Sequence, residues 1–174
     1  MKKGIVNKLT TSSIIFFVLA MIFLLPYMSS LGEELPASID TNFFYSMYDL
    51  KNLIPLFNDS HIETYINIRW SYDVIWPVIY TFFFVMMNIR LNIIRKKKLI
   101  NLFTIIALLP FIFDIMENIL ITLILSFNNA RINLIFLLAS FSSALKWLSI
   151  AIVFVILLFR GLRNIVPNSK NKVT

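Results

Sequence analysis

Cysteine is absent from the 174 residues, which excludes disulfide scaffolds, thiolate metal sites and thiol catalysis. Glycine occurs only at positions 4, 32 and 161. A Gly-rich phosphate loop and a GxxxG pair inside an apolar run are therefore ruled out. His-x-x-Glu-His and Gly-x-Ser-x-Gly are missing as well. Charge is scarce, at 14% of residues against about 25% in an ordinary soluble domain.

Apolar residues are plentiful: 59% of the chain is hydrophobic, and the mean hydropathy is +0.81. A water-soluble fold has too little interior to hide that much apolar surface. The excess falls in long runs broken by short charged segments, the pattern of a polytopic membrane protein. It excludes a soluble enzyme, a disordered chain and a nucleic-acid-binding domain, despite the net charge of +7. The basic residues flank the runs and do not form one face.

A membrane-crossing helix needs about 20 mostly apolar residues. Four segments qualify: 12–29, 70–89, 99–125 and 132–159. The expected fold class is an all-α, four-transmembrane-helix bundle. Lys2, Lys3 and Lys8 would also serve a signal peptide, but no small-x-small cleavage site follows Leu25, so an uncleaved helix is expected. Lys and Arg set the orientation. They gather in the tail 1–11, the loop 90–98 (Arg90, Arg95, Lys96, Lys97, Lys98) and the tail 160–174 (Arg160, Arg163, Lys170, Lys172). The opposite side holds Lys51, Arg69 and Arg131, together with every acid outside the runs: Glu33, Glu34, Asp40, Asp49, Asp59 and Glu63. Both termini are expected on the cytoplasmic side. The turn 126–131 makes an antiparallel hairpin of the last two runs.

Residues 30–69 form the sizeable exterior segment. Met47, Leu50, Ile54 and Phe57 share one helical face. Asp40 or Thr41 is expected to cap that helix and Pro55 to end or bend it. Ser60 with Glu63 fits a capping box, so the second long helix is expected to begin near Ser60 and project outward. The favoured expectation places the amphipathic piece on the lipid interface, held by Phe43, Phe44, Tyr45 and Tyr48. A lid over the bundle is the alternative.

Ionisable groups inside the runs carry the most information, because each costs about 2.5–3.5 kcal/mol at the centre of a lone helix. Asp114, Glu117 and Asn118 share one face, with Pro110 a turn earlier freeing a backbone carbonyl. In the fourth run Lys146 lies beside Ala139, Ser142, Ser143 and Ser149, small residues that let a helix approach closely. At 1.5 Å per residue, Glu117 lies roughly 12 Å deep, Asp114 about 17 Å and Lys146 about 20 Å. Lys146 is therefore expected to pair with Asp114, Glu117 or both. Two acids against one base leave one negative charge for a proton, a cation, a water chain or a positive group of a ligand. The second run adds Tyr65, Arg69, Asp73, Trp76 and Tyr80 on one stripe. Arg69 and Asp73 can pair near the exterior boundary, Tyr80 lies level with Glu117, and Pro77 is expected to kink the helix. The first run is apolar from Ile14 to Leu25 and reads as a packing wall.

The strings Asp73-Val-Ile-Trp76-Pro77-Val-Ile-Tyr80, Leu109-Pro110 … Asp114-Ile-Met-Glu117-Asn118 and Leu145-Lys146-Trp147 resemble a group of small bacterial four-helix membrane proteins. That group shares D-x-x-[WF]-P-x-x-Y, L-P-x-x-x-D-x-x-E-N and L-K-W patterns. The resemblance covers roughly residues 60 to 155. It implies a multi-pass protein of the bacterial cytoplasmic membrane and no particular activity.

The candidate pocket is Asp114, Glu117, Asn118, Lys146, Tyr80, Asp73 and Ser143. The leading expectation is a non-enzymatic protein whose polar pocket, opening to the exterior, binds a small or amphiphilic ligand or relays protons. A lipid- or isoprenoid-modifying enzyme using the paired carboxyls is the second reading, and a structural scaffold subunit of a membrane complex the third. No cofactor, metal or nucleic acid is expected; the expected partners are membrane lipids and a small amphiphilic ligand, with the oligomeric state open.

Overall fold

The computed structural model describes residues 3–31, 35–36, 43–94, 98, 100–127 and 133–165. Expectations for Lys2, Asp40, Thr41, Arg95, Lys96, Lys97, Arg131, Lys170 and Lys172 fall outside these residues.

The described residues are all-α. Helix α1 runs Lys3–Leu31, α2 Met47–Leu53, α3 Asp59–Ile94, α4 Leu102–Ile106, α5 Leu109–Phe127 and α6 Asn133–Ile165. Four stretches are long and apolar enough to cross a membrane: Gly4–Tyr27, Asp59–Ile94, Leu102–Phe127 and Asn133–Arg163. The chain is a multi-pass helical membrane protein. Helices α5 and α6 form the tightest pair, α3 packs against both, and α1 packs chiefly on α3. Aromatic rings seat α1: Phe17 stacks on Phe83 at 4.3 Å and on Trp76 at 6.2 Å, and Tyr27 meets Tyr72 edge-on. Most other large side chains of α1 are exposed, Phe23 at 70%, as a lipid-facing helix requires.

The third span is two helices. Asn101 caps α4, its side chain accepting from the Thr104 N–H, and α5 restarts at Leu109. Proline explains the break. Pro110 has no N–H for the Ile106 carbonyl, so the ladder cannot run on through it. The same residue fits comfortably in the first turn of the new helix. Pro77 is different: α3 continues through it.

The exterior segment is built by a capping box one helix earlier than expected. Ser46 Oγ accepts from the Asp49 N–H at 3.1 Å, and the Asp49 carboxylate accepts from the Ser46 N–H at 2.7 Å. Pro55 closes α2 into a 3₁₀ turn, Ile54–Leu56. At the start of α3 it is Asn58 that serves, its Oδ1 accepting from the His61 N–H at 2.8 Å. The Ser60–Glu63 reading is corrected accordingly: Asn58 stands one residue before Asp59, where the first orphan N–H groups lie.

This segment folds onto the bundle. Leu50 is 1% exposed and joins Phe57, Tyr65, Ile121, Ile124, Leu125, Phe136 and Ala139 in one apolar cluster at the exterior end. Lys51 donates to Asn133 Oδ1 at 2.8 Å and ties α2 to the start of α6. Phe43, Phe44 and Tyr48 remain exposed. Tyr45 does not: it is 2% exposed and turned into the bundle.

Candidate functional site

The buried stripe of α5 is Pro110, Asp114, Glu117, Asn118, Ile121, Ile124 and Leu125. Its polar third faces a matching stripe of α6, where Ala139, Ser142, Ser143 and Lys146 are all buried. These small α6 side chains leave room for the carboxylates and for the lysine stem.

Lys146 stands between the two acids. Its Nζ is 2.6 Å from Glu117 Oε2 and 3.5 Å from Asp114 Oδ1. Each carboxylate also accepts from a tyrosine. Tyr45 OH donates to Glu117 Oε1 at 3.0 Å, and Tyr80 OH donates to Asp114 Oδ2 at 2.8 Å. Glu117 is fully buried. Ten residues separate it from the exterior end of α5, about 15 Å at the helical rise. The Coulomb energy of such contacts grows steeply as water is excluded. Two carboxylates and one ammonium still sum to −1 if all are ionised.

A second polar group adjoins through Asn118. The Asn118 Oδ1 accepts from Arg69 Nη1 at 2.7 Å, and its Nδ2 reaches the carbonyls of Arg69 and Asp73 at 3.4 and 3.3 Å. Arg69 Nη2 donates to Tyr65 OH at 2.8 Å, and the guanidinium lies 4.9 Å from the Tyr65 ring centre. Arg69 is fully buried. Its partner Tyr65 belongs to the apolar cluster that also takes in Leu50 and Phe57. Helical spacing put Tyr80 level with Glu117, but its hydroxyl meets Asp114, one turn nearer the basic end. Ser143 is fully buried one turn before Lys146. Trp147 presents its ring 5.6 Å from Lys146 Nζ, while its buried Nε1 has no hydrogen-bond partner among the described residues. Of the seven candidate residues, Asp114, Glu117, Lys146 and Tyr80 meet directly. Asn118 reaches the backbone of Asp73, and Ser143 lies alongside.

Tyr45 escaped the sequence reading because its partner is 72 residues away. A tyrosine in an aromatic Phe-Phe-Tyr run carries no local sign that it turns inward. Its backbone is fixed as well, the Ser140 hydroxyl donating to the Tyr45 carbonyl.

Below the charged centre the bundle is closed by Tyr80, Phe84, Ala107 and Val153. Among the described residues no group of three or more His, Cys, Asp or Glu could hold a metal ion. No family model, curated protein or solved structure matches the chain. The likeness to small four-helix membrane proteins therefore reaches as far as the four spans.

Proposed function

We propose that this chain is a non-enzymatic protein of the bacterial cytoplasmic membrane whose buried acid–base centre exchanges a proton or binds a small amphiphilic ligand from the exterior side. The observation that carries the reading is the lysine shared between two carboxylates, 2.6 Å from one and 3.5 Å from the other, inside a span. A neutral glue would be cheaper, since interhelical polar contacts in membranes average only about 0.6 kcal/mol. Ionised groups at such depth mark ion, proton or ligand paths by default. The surplus negative charge supplies the chemistry: the centre is neutral only when it holds one exchangeable proton or the positive group of a guest.

Tyr45 serves as the gate in this reading. Lifting the exterior segment withdraws a hydroxyl from Glu117 and uncovers the carboxylate toward water. The apolar plug of Phe84, Ala107 and Val153 keeps the other side shut. A specific observation supports the scaffold reading as well: Tyr45, Tyr80 and Lys146 already meet the two carboxylates, as a purely architectural network would require.

Infrared difference spectroscopy on the reconstituted protein separates the two. Stepping the external pH is expected to move a carboxyl C=O band in the wild type, and Glu117→Gln or Asp114→Asn is expected to remove it. A wild type with no carboxyl band that responds to pH, together with lowered stability in the Asp114→Asn/Glu117→Gln pair, would leave only architecture.

A further inference from the structure

A third buried cation, beyond Lys146 and Arg69, lies at the basic end of the bundle. Arg160 of α6 is 7% exposed. Its Nη1 donates to Asn88 Oδ1 at 2.6 Å and its Nη2 to Asn92 Oδ1. Both asparagines are on α3 and fully buried. Asn92 Oδ1 also accepts from Asn101 Nδ2 at 3.0 Å, and Asn101 Oδ1 accepts from the Thr104 N–H at 3.2 Å. The guanidinium lies 4.8 Å from the Phe103 ring centre. Three parts of the chain thus form a socket that holds one planar cation with amide oxygens and a ring.

Charge and depth give this socket a direction. The nine acids of the sequence are Glu33, Glu34, Asp40, Asp49, Asp59, Glu63, Asp73, Asp114 and Glu117. Among the described residues, Asp49, Asp59, Glu63 and Asp73 lie toward the α2 end of the bundle and Asp114 and Glu117 at the central site, and Arg160 stands about 21 Å further along α6 than Lys146. Around the socket the sequence places more cations: Arg90, Lys98 and Arg163. Arg90 is half-buried, while Lys98 and Arg163 are exposed. Helix α6 has 33 residues centred on Ser149, so Arg160 is about 16 Å from its middle. A hydrocarbon core about 30 Å thick ends at that level. In a bilayer centred on Ser149 the fixed guanidinium would stand at the level of the lipid headgroups.

We propose that the Arg160 socket is a phosphate-binding site at the basic face, with Arg90, Lys98 and Arg163 as its outer cations. A guanidinium is planar and carries five N–H donors, so it can hold two amide oxygens and a phosphate at once. Preorganisation by Asn88 and Asn92 removes the cost of ordering a long side chain. An anionic phospholipid headgroup and a soluble phosphate share this chemistry. The proposal is independent of the reading of the central site.

The test uses the full chain purified in a neutral detergent, with thermal unfolding followed on adding phosphatidylglycerol, phosphatidylcholine or inorganic phosphate. Phosphatidylglycerol is expected to raise the midpoint by several degrees, with phosphatidylcholine inert. Arg160→Lys, which keeps the charge but not the planar fork, is expected to weaken the apparent affinity at least fivefold. Arg90→Gln/Arg163→Gln, which leaves the socket whole, is expected to weaken it by a smaller factor. An equal rise with inorganic phosphate would assign the site to a soluble anion. No rise with either anion, or the same rise in all variants, overturns the proposal; the outer pair decides the matter if Arg160→Lys does not fold.

Discussion

Lys146 carries the centre because it lies within 4 Å of both acids. Lys146→Met leaves two buried carboxylates facing each other, and breaking a buried pair from one side costs about 3–5 kcal/mol. The variant is expected to unfold at a clearly lower temperature in detergent. Adding Asp114→Leu removes one acid and is expected to restore much of that loss, since a buried polar pair can be replaced by apolar groups at little cost. If the double variant is stable but silent in the infrared pH step, the centre is functional. Unaltered function in the same variant would assign the residues to assembly. Tyr45→Phe removes one donor from a fully buried carboxylate, a cost of about 1–3 kcal/mol. At this scale much of the site was legible. Spacing alone placed Asp114, Glu117 and Asn118 on one face, and depth alone brought Lys146 to them. The full burial of Arg69 and the part played by Asn88 and Asn92 were not legible, because both depend on contacts between separate segments.

The exterior segment is the element on which the proposed gating depends, and it is held by a small number of contacts. Leu50→Ala would open a cavity in its apolar cluster, with losses of about 2–5 kcal/mol for such a change in a well-packed site. Amide exchange is expected to quicken across residues 47–57 and much less along α5. Acid is a second lever. The Ser46 hydroxyl and N–H hold the Asp49 carboxyl below its ordinary value of 3.8. A lowered folded value means the capping contribution is complete above the ordinary value and fades as pH falls through the lowered one. The protection of the α2 amides, taken relative to intrinsic exchange at each pH, is therefore expected to fall on acidification below about pH 4, and Asp49→Asn is expected to flatten that dependence. The amphipathic face around Leu50, Ile54 and Phe57 was readable from period. What it packs on was not, because an apolar stripe fits a lipid interface and a bundle equally well. The break in the third span was half-legible: Pro110 announced a lost hydrogen bond, but hydropathy runs through it unbroken.

Over the whole molecule, two polar centres are stacked along one bundle and separated by a plug of Phe84, Ala107 and Val153. The four spans follow from composition and run length, which bind any chain in a bilayer whatever its side-chain contacts. The proposed orientation rests on Lys and Arg asymmetry, and the absence of cysteine makes it testable without background. Asp59→Cys is expected to react with an impermeant maleimide applied to intact cells, and Arg163→Cys only after the membrane is opened. The reverse pattern would invert the topology and with it the side on which Tyr45 stands guard. The central claim, however, is a distance. Solid-state NMR on membrane-embedded protein can measure dipolar coupling between Lys146 Nζ and the side-chain carboxyl carbons of Asp114 and Glu117. Strong coupling to Glu117, as a 2.6 Å Nζ–Oε2 contact requires, with weaker coupling to Asp114, is the predicted result; an ammonium decoupled from both and in contact with lipid headgroups would contradict it.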